Sequence, residues 1–270
     1  MVAPIFSRRF LMPVAALLGL ALAALPAFAS GEAFFLHRSG PATEASPPLP
    51  PASQYPVQLV LDDDTWEGIL GVGGATADQF LWFNRFASPG PFTLQQIWVL
   101  FPQGETAVGD DIQLAVYRDT DGDPSNGATL LATYSADVLA ADGNTFSVYD
   151  LTASPLDIES GGEVWIGVIN RWVVPGVTPL SAPATIDTNS NPGLSGFATW
   201  TGGLPPDPPE LATAASIQNL NSTPGAGTFL IRAFGTAQAI VEVPVLDHAG
   251  LVLFAVLLSA AALGIFFRRA

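Results

Sequence analysis

Between Val57 and Gly235 the apolar residues come in short runs with a period of two, and each run is soon cut off by Gly, Pro, Asn or Asp. A period of two places alternate side chains on opposite faces of an extended strand, whereas a helix needs apolar residues three and four apart. The run 111–118 is the cleanest: Ile112, Leu114 and Val116 face one way, and Gln113, Ala115 and Tyr117 the other. The run 79–86 sets Phe80, Trp82 and Phe86 against Gln79 and Arg85. Further strands are predicted over 57–61, 93–101, 129–134, 145–149, 163–170, 196–201 and 228–235, about nine in all. The run 163–170 is apolar on both faces (Val164, Ile166, Val168; Trp165, Ile169), which predicts a central strand. Only 209–217 has weak amphipathic helical character, and no repeat is visible.

Many short strands with turn signals between them specify an all-β chain, read as a jelly-roll-like antiparallel β-sandwich over 57–237. An immunoglobulin-like sandwich fits less well, because the span is nearly twice the roughly 100 residues of such a domain and no cysteines are present. Two long segments, 173–195 and 202–227, are rich in Pro, Asn, Thr and Gly and read as loops that build any binding face. Residues 30–56 read as a linker rich in Pro and Ser, in which Phe34-Phe35-Leu36 is an apolar exception suited to an added edge strand.

Both ends of the chain carry targeting patterns. Arg8-Arg9, an apolar stretch over 11–25 and Ala27-Phe28-Ala29 form a secretory signal over 1–29 with cleavage before Ser30. Ser7-Arg8-Arg9-Phe10-Leu11-Met12 also fits a twin-arginine signal, so the export route is either that or the general secretory one. At the other end, 238–270 holds a short motif over 243–250, an uncharged apolar run over 251–267 and Arg268-Arg269. As a helix that run rises about 25 Å, and flanking residues and snorkelling arginines extend it towards a ~30 Å hydrocarbon core. A buried terminal helix of the domain is the alternative. Positive charge beyond the span places the bulk of the chain outside the cytoplasm.

This tail resembles the IPTL-CTERM sorting domain of Gram-negative bacteria, a relative of the PEP-CTERM signals. Val243, Pro244 and Leu246 match that motif's opening and Gly250 its end, while Val245 stands where Thr is usual and Ala249 where Trp is usual. The resemblance implies recognition by an exosortase-type membrane enzyme, loss of the tail, and delivery to the cell surface or matrix. A plain single-span anchor is the other outcome.

Composition narrows the partners. The formal net charge is −15; there is no Cys and no Lys. From Ser30 to Glu242 the cations are Arg38, Arg85, Arg118, Arg171 and Arg232, against every acidic residue of the chain except Asp247. Such a surface repels nucleic acid and anionic lipid and attracts divalent cations. Without cysteine the exported domain has no disulfides.

Asp119, Asp121 and Asp123 place carboxylates at every second position, as loops that wrap a hard cation do, and Asn126 adds an amide oxygen. Gly122 falls too early for an EF-hand, Pro124 replaces its glycine, and Leu130 stands at position twelve. A single-loop structural Ca²⁺ site and a plain polar hairpin turn are the two readings. Asp62-Asp63-Asp64 with Glu67 forms a second acidic cluster, either a solvated turn or an ion site; the three carboxylates repel unless a cation relieves them.

Catalytic vocabulary is thin. His37 lies in the linker and His248 in the tail, so Ser–His–Asp, Cys–His and His-based zinc chemistry lack their parts. Trp82, Trp98 and Trp165 read as core, whereas Trp172 and Trp200, with Arg171, flank the first long loop and are the candidates for stacking on a glycan. The sequence therefore points to a non-catalytic exported protein with an adhesive or envelope-structural role. A surface-displayed carbohydrate-binding module is the alternative, and a secreted glycoside hydrolase the less favoured third.

Overall fold

The computed structural model describes residues 32–37, 49–73, 79–123, 128–172, 181–190, 193–223 and 225–238. In chain order the strands are β1 (Glu32–His37), β2 (Val57–Leu59), β3 (Gly68–Gly73), β4 (Leu81–Ala87), β5 (Phe92–Leu100), β6 (Asp111–Asp119), β7 (Thr129–Asp137) and β8 (Phe146–Asp150). There follow β9 (Leu156–Ile158), β10 (Glu163–Asn170), β11 (Ala184–Asp187), β12 (Ser195–Thr199), β13 (Ser216–Asn219), β14 (Thr228–Phe229) and β15 (Ile231–Ala237). Every strand ladder among them is antiparallel.

The strands form a six-stranded sheet in the order β13-β12-β4-β10-β6-β7, a five-stranded path β2-β15-β5-β8 with β9 also on β5, and a four-stranded sheet β1-β3-β11-β14. Only Leu230 separates β14 from β15, so the chain passes directly from the four-stranded sheet to the five-stranded one. Side chains of all three sheets meet in one core: Trp82, Leu114 and Ile166 from the first, Leu94, Ile97 and Ile231 from the second, and Leu70 and Phe229 from the third. The result is a β-sandwich-like fold with the six-stranded sheet facing the other two. Burying each of these side chains contributes about 1.5–3 kcal/mol.

The outer faces are apolar too, which explains why central strands show little alternation. On the outside of the six-stranded sheet Phe83, Ala115, Tyr117, Trp165 and Trp200 form a second cluster, with Phe83 stacked on Trp165 at 4.8 Å. On the opposite outside Trp66, Trp98, Phe146 and Phe234 form a third. As its two-faced pattern predicts, β10 is central, pairing with both β4 and β6.

The edge strand expected at Phe34-Phe35-Leu36 is present: β1 covers these residues and pairs along β3. Tyr55, at the end of the segment read as linker, is buried at 6% exposure. Other expectations change. The segment 173–195 contains β11, which bridges β3 and β14, and so is not a loop throughout. Instead of a helix over 209–217 there is a single 3₁₀ turn, Leu211–Thr213, followed by β13.

Candidate functional site

The acidic hairpin begins at the last residue of β6. Asp119 is 3% exposed, and its Oδ1 accepts hydrogen bonds from the backbone N–H groups of Asp121 and Gly122, both at 3.0 Å. Asp121 Oδ1 in turn accepts from the Asp123 N–H at 2.9 Å. These are side-chain-to-backbone turns of the kind aspartate favours, and Gly122 takes the positive φ (74°) that the reversal needs. Asp119 Oδ2 is buried and has no hydrogen-bond partner. Across the ladder, β10 sets Glu163 directly opposite Asp119. Glu163 Oε2 accepts from Trp165 Nε1 at 3.2 Å and lies 3.6 Å from Arg85 Nη1.

The turn between β9 and β10 closes over the same end. Arg118 pairs with Glu159 and donates to the Ser160 carbonyl at 2.6 Å. Gly162, at φ 70°, lies so close to the Asp119 carbonyl that an added Cβ would come within 2.1 Å of it. Asp121 and Asp123 are exposed, and Asn126 lies outside the described residues. Among the described residues no three His, Cys, Asp or Glu side chains converge on a common point that could hold a metal ion.

The Asp62–Asp64 cluster is relieved by a cation from the protein itself. Arg232, at the start of β15, is fully buried, and its Nε donates to both Asp62 oxygens at 3.1 Å while Nη2 reaches Asp62 and Asp64. Its guanidinium lies 4.4 Å from the Phe146 ring centroid. Asp64 takes a positive φ of 74° in making this contact. Burial lowers the Arg232 pKa, but hydrogen bonds and charge from Asp62 and Asp64 more than offset it, and the net shift is upward. Asp63 turns the other way: its N–H donates to Asp187 Oδ2 at 2.9 Å, and its carboxylate accepts from Thr65. Glu67 joins this loop to β11 by accepting from Thr188 and Asn189. The solvated-turn reading of this cluster thus fails at Asp62, whose side chain is completely buried.

The three residues singled out for ligand contact are put to structural use. Trp200 is 6% exposed, packs in the cluster on the outside of the six-stranded sheet, and donates from Nε1 to Thr213 Oγ1 at 3.0 Å. A ring so enclosed is packing rather than a platform. Trp172 is half-buried against the main core. Arg171 ties the proline-rich segment down, donating to the carbonyls of Pro205 (2.6 Å) and Pro206 (2.7 Å) and to Gln113 Oε1 (2.6 Å). Gln113 passes the link on to Asp207, and Tyr117 donates to the Pro209 carbonyl. Burial lowers the Arg171 pKa, partly countered by Asp207 and Tyr117; burial raises that of Tyr117.

An open groove of about 340 Å³ lies elsewhere, between the edge strands β7 and β8. Tyr134, Ser135, Tyr149, Asp150 and Ser154 are among its walls. Both phenols are anchored, Tyr134 to the Ser154 carbonyl at 3.3 Å and Tyr149 to the Asp137 carbonyl at 3.1 Å, and burial raises both pKa values. Sequence reasoning missed these residues, because a groove between two sheet edges depends on which strands end up at the edges.

The sorting-tail residues Val243, Pro244, Val245, Leu246, Gly250, Arg268 and Arg269 lie outside the described residues, as does the signal segment. Among the described residues no helix is long and apolar enough to cross a membrane. Comparison with protein-family models, with curated proteins and with solved structures finds no match.

Proposed function

We propose that this chain is an exported, non-catalytic protein of the cell surface or extracellular matrix, whose jelly-roll-like sandwich serves adhesion or envelope structure. The observation that carries the reading is the use of its cations. All four arginines among the described residues are engaged within the domain: Arg85 with Glu163 and the Gly193 carbonyl, Arg118 with Glu159, Arg171 with the proline segment, and Arg232 with Asp62. With no lysine in the chain, the charge that the described residues present to solvent is mainly carboxylate, beside exposed apolar side chains such as Val108 and Leu139. Such a surface stays soluble through export and repels nucleic acid. The tail supplies delivery, by an exosortase-type enzyme or as a retained anchor. Mass spectrometry of the protein from surface and membrane fractions tests this. A mature C-terminus near Leu246 and an N-terminus at Ser30 are expected; a full-length chain in the cytoplasm would overturn the reading.

A second reading, a displayed carbohydrate-binding module, rests on the β7–β8 groove, where the half-buried Tyr134 stands beside Asp150 and serine hydroxyls. Aromatic faces beside hydroxyl and carboxylate groups match the mixed apolar and polar faces of a sugar. Glycan-array binding lost in Tyr134→Ala would favour it, and a blank array would remove it.

A further inference from the structure

We propose that the segment 119–123 at the end of β6 is a divalent-cation site of the Ca²⁺ type, anchored on Asp119 and completed from Asp121, Asp123 and, across the sheet, Glu163. The anchor is the informative residue. Asp119 is 97% buried by its 3% exposure, yet only one of its carboxylate oxygens is hydrogen-bonded. A buried carboxylate oxygen without a partner is costly, and native structures fill that need with a donor, water or an ion.

The surroundings narrow the choice. Oδ1 draws the amides of Asp121 and Gly122 around the carboxylate, and Oδ2 beside it is buried without a donor. Arg118 is the adjacent residue in the strand and so projects from the opposite face, where it binds Glu159 and Ser160. The cross-strand neighbour is another acid, Glu163, and like charges directly opposite destabilise a ladder. Arg85 is engaged with the far side of that glutamate. The near environment of Asp119 thus offers carboxylates and backbone, which are the oxygen donors a hard cation takes.

Rigidity and adaptability are divided between the parts. The Asp119 end is fixed by the Gly162 contact and by the grip of Arg118 on the 159–160 turn. Asp121 and Asp123 are exposed, and among the described residues no three carboxylates converge beforehand. A bound cation would add Asp121 and Asp123 to the fixed Asp119 carboxylate, so affinity is set by the cost of rearranging these side chains as well as by charge. Extracellular single-loop modules work in the range of about 10⁻⁴–10⁻³ M, matched to the exported destination.

The test is thermal unfolding of the full-length exported protein with CaCl₂, with MgCl₂ and with chelator, together with calorimetric titration of CaCl₂. At about a hundredfold excess over Kd, Ca²⁺ is expected to raise Tm by about 5–10 °C with a stoichiometry of one. Asp119→Asn keeps an oxygen for the loop amides but removes the charge. It should abolish the Ca²⁺ shift while leaving the Tm in chelator equal to or above that of the wild type. If that variant does not fold, Asp121→Ala, on the exposed side, should keep the chelator Tm and cut the Ca²⁺ shift by at least half. Identical wild-type melting curves in Ca²⁺ and chelator, or a full shift retained in either variant, would overturn the proposal.

Discussion

Arg232 and Asp62 form an ion pair in which neither side chain is exposed, with Arg232 Nε 3.1 Å from both carboxylate oxygens. The pair joins β15 to the loop that leads into β3, and so ties the last strand of the domain to its first loop. A buried pair is weak evidence of net stability, because desolvating both charges offsets most of their attraction. Breaking it is another matter. Arg232→Leu leaves Asp62 charged and buried, and is expected to cost about 3–5 kcal/mol in urea unfolding. Adding Asp62→Leu to the same chain should recover part of that loss. A double variant no better than Arg232→Leu alone would show that the cost arises from packing against Phe146 rather than from an orphaned charge.

Asn84 is the polar link through the core. It is fully buried on β4, donates to the carbonyls of Phe229 (2.7 Å) and Ile231 (3.0 Å), and accepts from Ser195 Oγ at 2.6 Å. It thereby joins the six-stranded sheet to the β14–β15 junction of the facing layer. Asn84→Leu keeps the branched shape and the number of heavy atoms but leaves those carbonyls without their donor, at about 1–3 kcal/mol for each group left unsatisfied. A fall in the midpoint of chemical unfolding with an unchanged m-value is the expected result.

Arg171 predicts a local rather than a global effect. Two of its hydrogen bonds hold the proline segment 205–209 directly and the third fixes Gln113, which bonds Asp207, while Tyr117 bonds Pro209. Arg171→Ala should loosen that segment, at about 1.5–3 kcal/mol for charge-assisted bonds. Limited proteolysis checks it: new cleavage between 202 and 215 ahead of global unfolding is expected. Cleavage elsewhere first would place the weak point outside this segment.

Much of the fold is legible because strand alternation is a local signal. The 111–118 run, the two-faced 163–170 run and the core positions of Trp82, Trp98 and Trp165 all follow from which residues neighbour which in sequence. The strands that escape notice are those without such a signal. Residues 68–73 alternate Gly with apolar side chains, and 184–187 is a four-residue segment inside a polar stretch whose strand character depends on β3 and β14. The sites divide likewise. The spacing of Asp119, Asp121 and Asp123 is visible in the sequence, but Glu163 joins them only through register. Nothing local marks Arg232 as the counter-ion of Asp62, 170 residues away. Trp200 reads as exposed because it borders a long loop, and only the fold shows that loop folding back to bury it.

Two aspartates predict opposite slopes of stability with pH. Asp142, at the turn before β8, is pushed up by burial, but hydrogen bonds from the Asn144 N–H and from Thr145 outweigh this and hold its pKa below 3.8. Its folded pKa being depressed, it contributes stability above pH 3.8 that is lost as pH falls through the folded value. Asp187 is the reverse case. Burial raises its pKa above 3.8 despite hydrogen bonds from Asp63, Ser190 and Asn189. The folded state then keeps a proton that the unfolded chain has released, so its contribution is present below pH 3.8 and lost as pH rises through the folded value. Asp63, held low mainly by Thr65, titrates together with it, so the pair shows two apparent steps. Urea unfolding from pH 3 to 7 should show a wild-type stability that declines relative to Asp187→Asn as pH rises above 3.8. Relative to Asp142→Asn, the wild type should instead lose stability as pH falls below that point. Carbon-13 titration of the carboxyls gives the independent check: the Asp142 step lies below 3.8 and the upper step of the Asp63–Asp187 pair above it. A pair that titrates entirely below that value would mean that hydrogen bonding, not burial, governs Asp187.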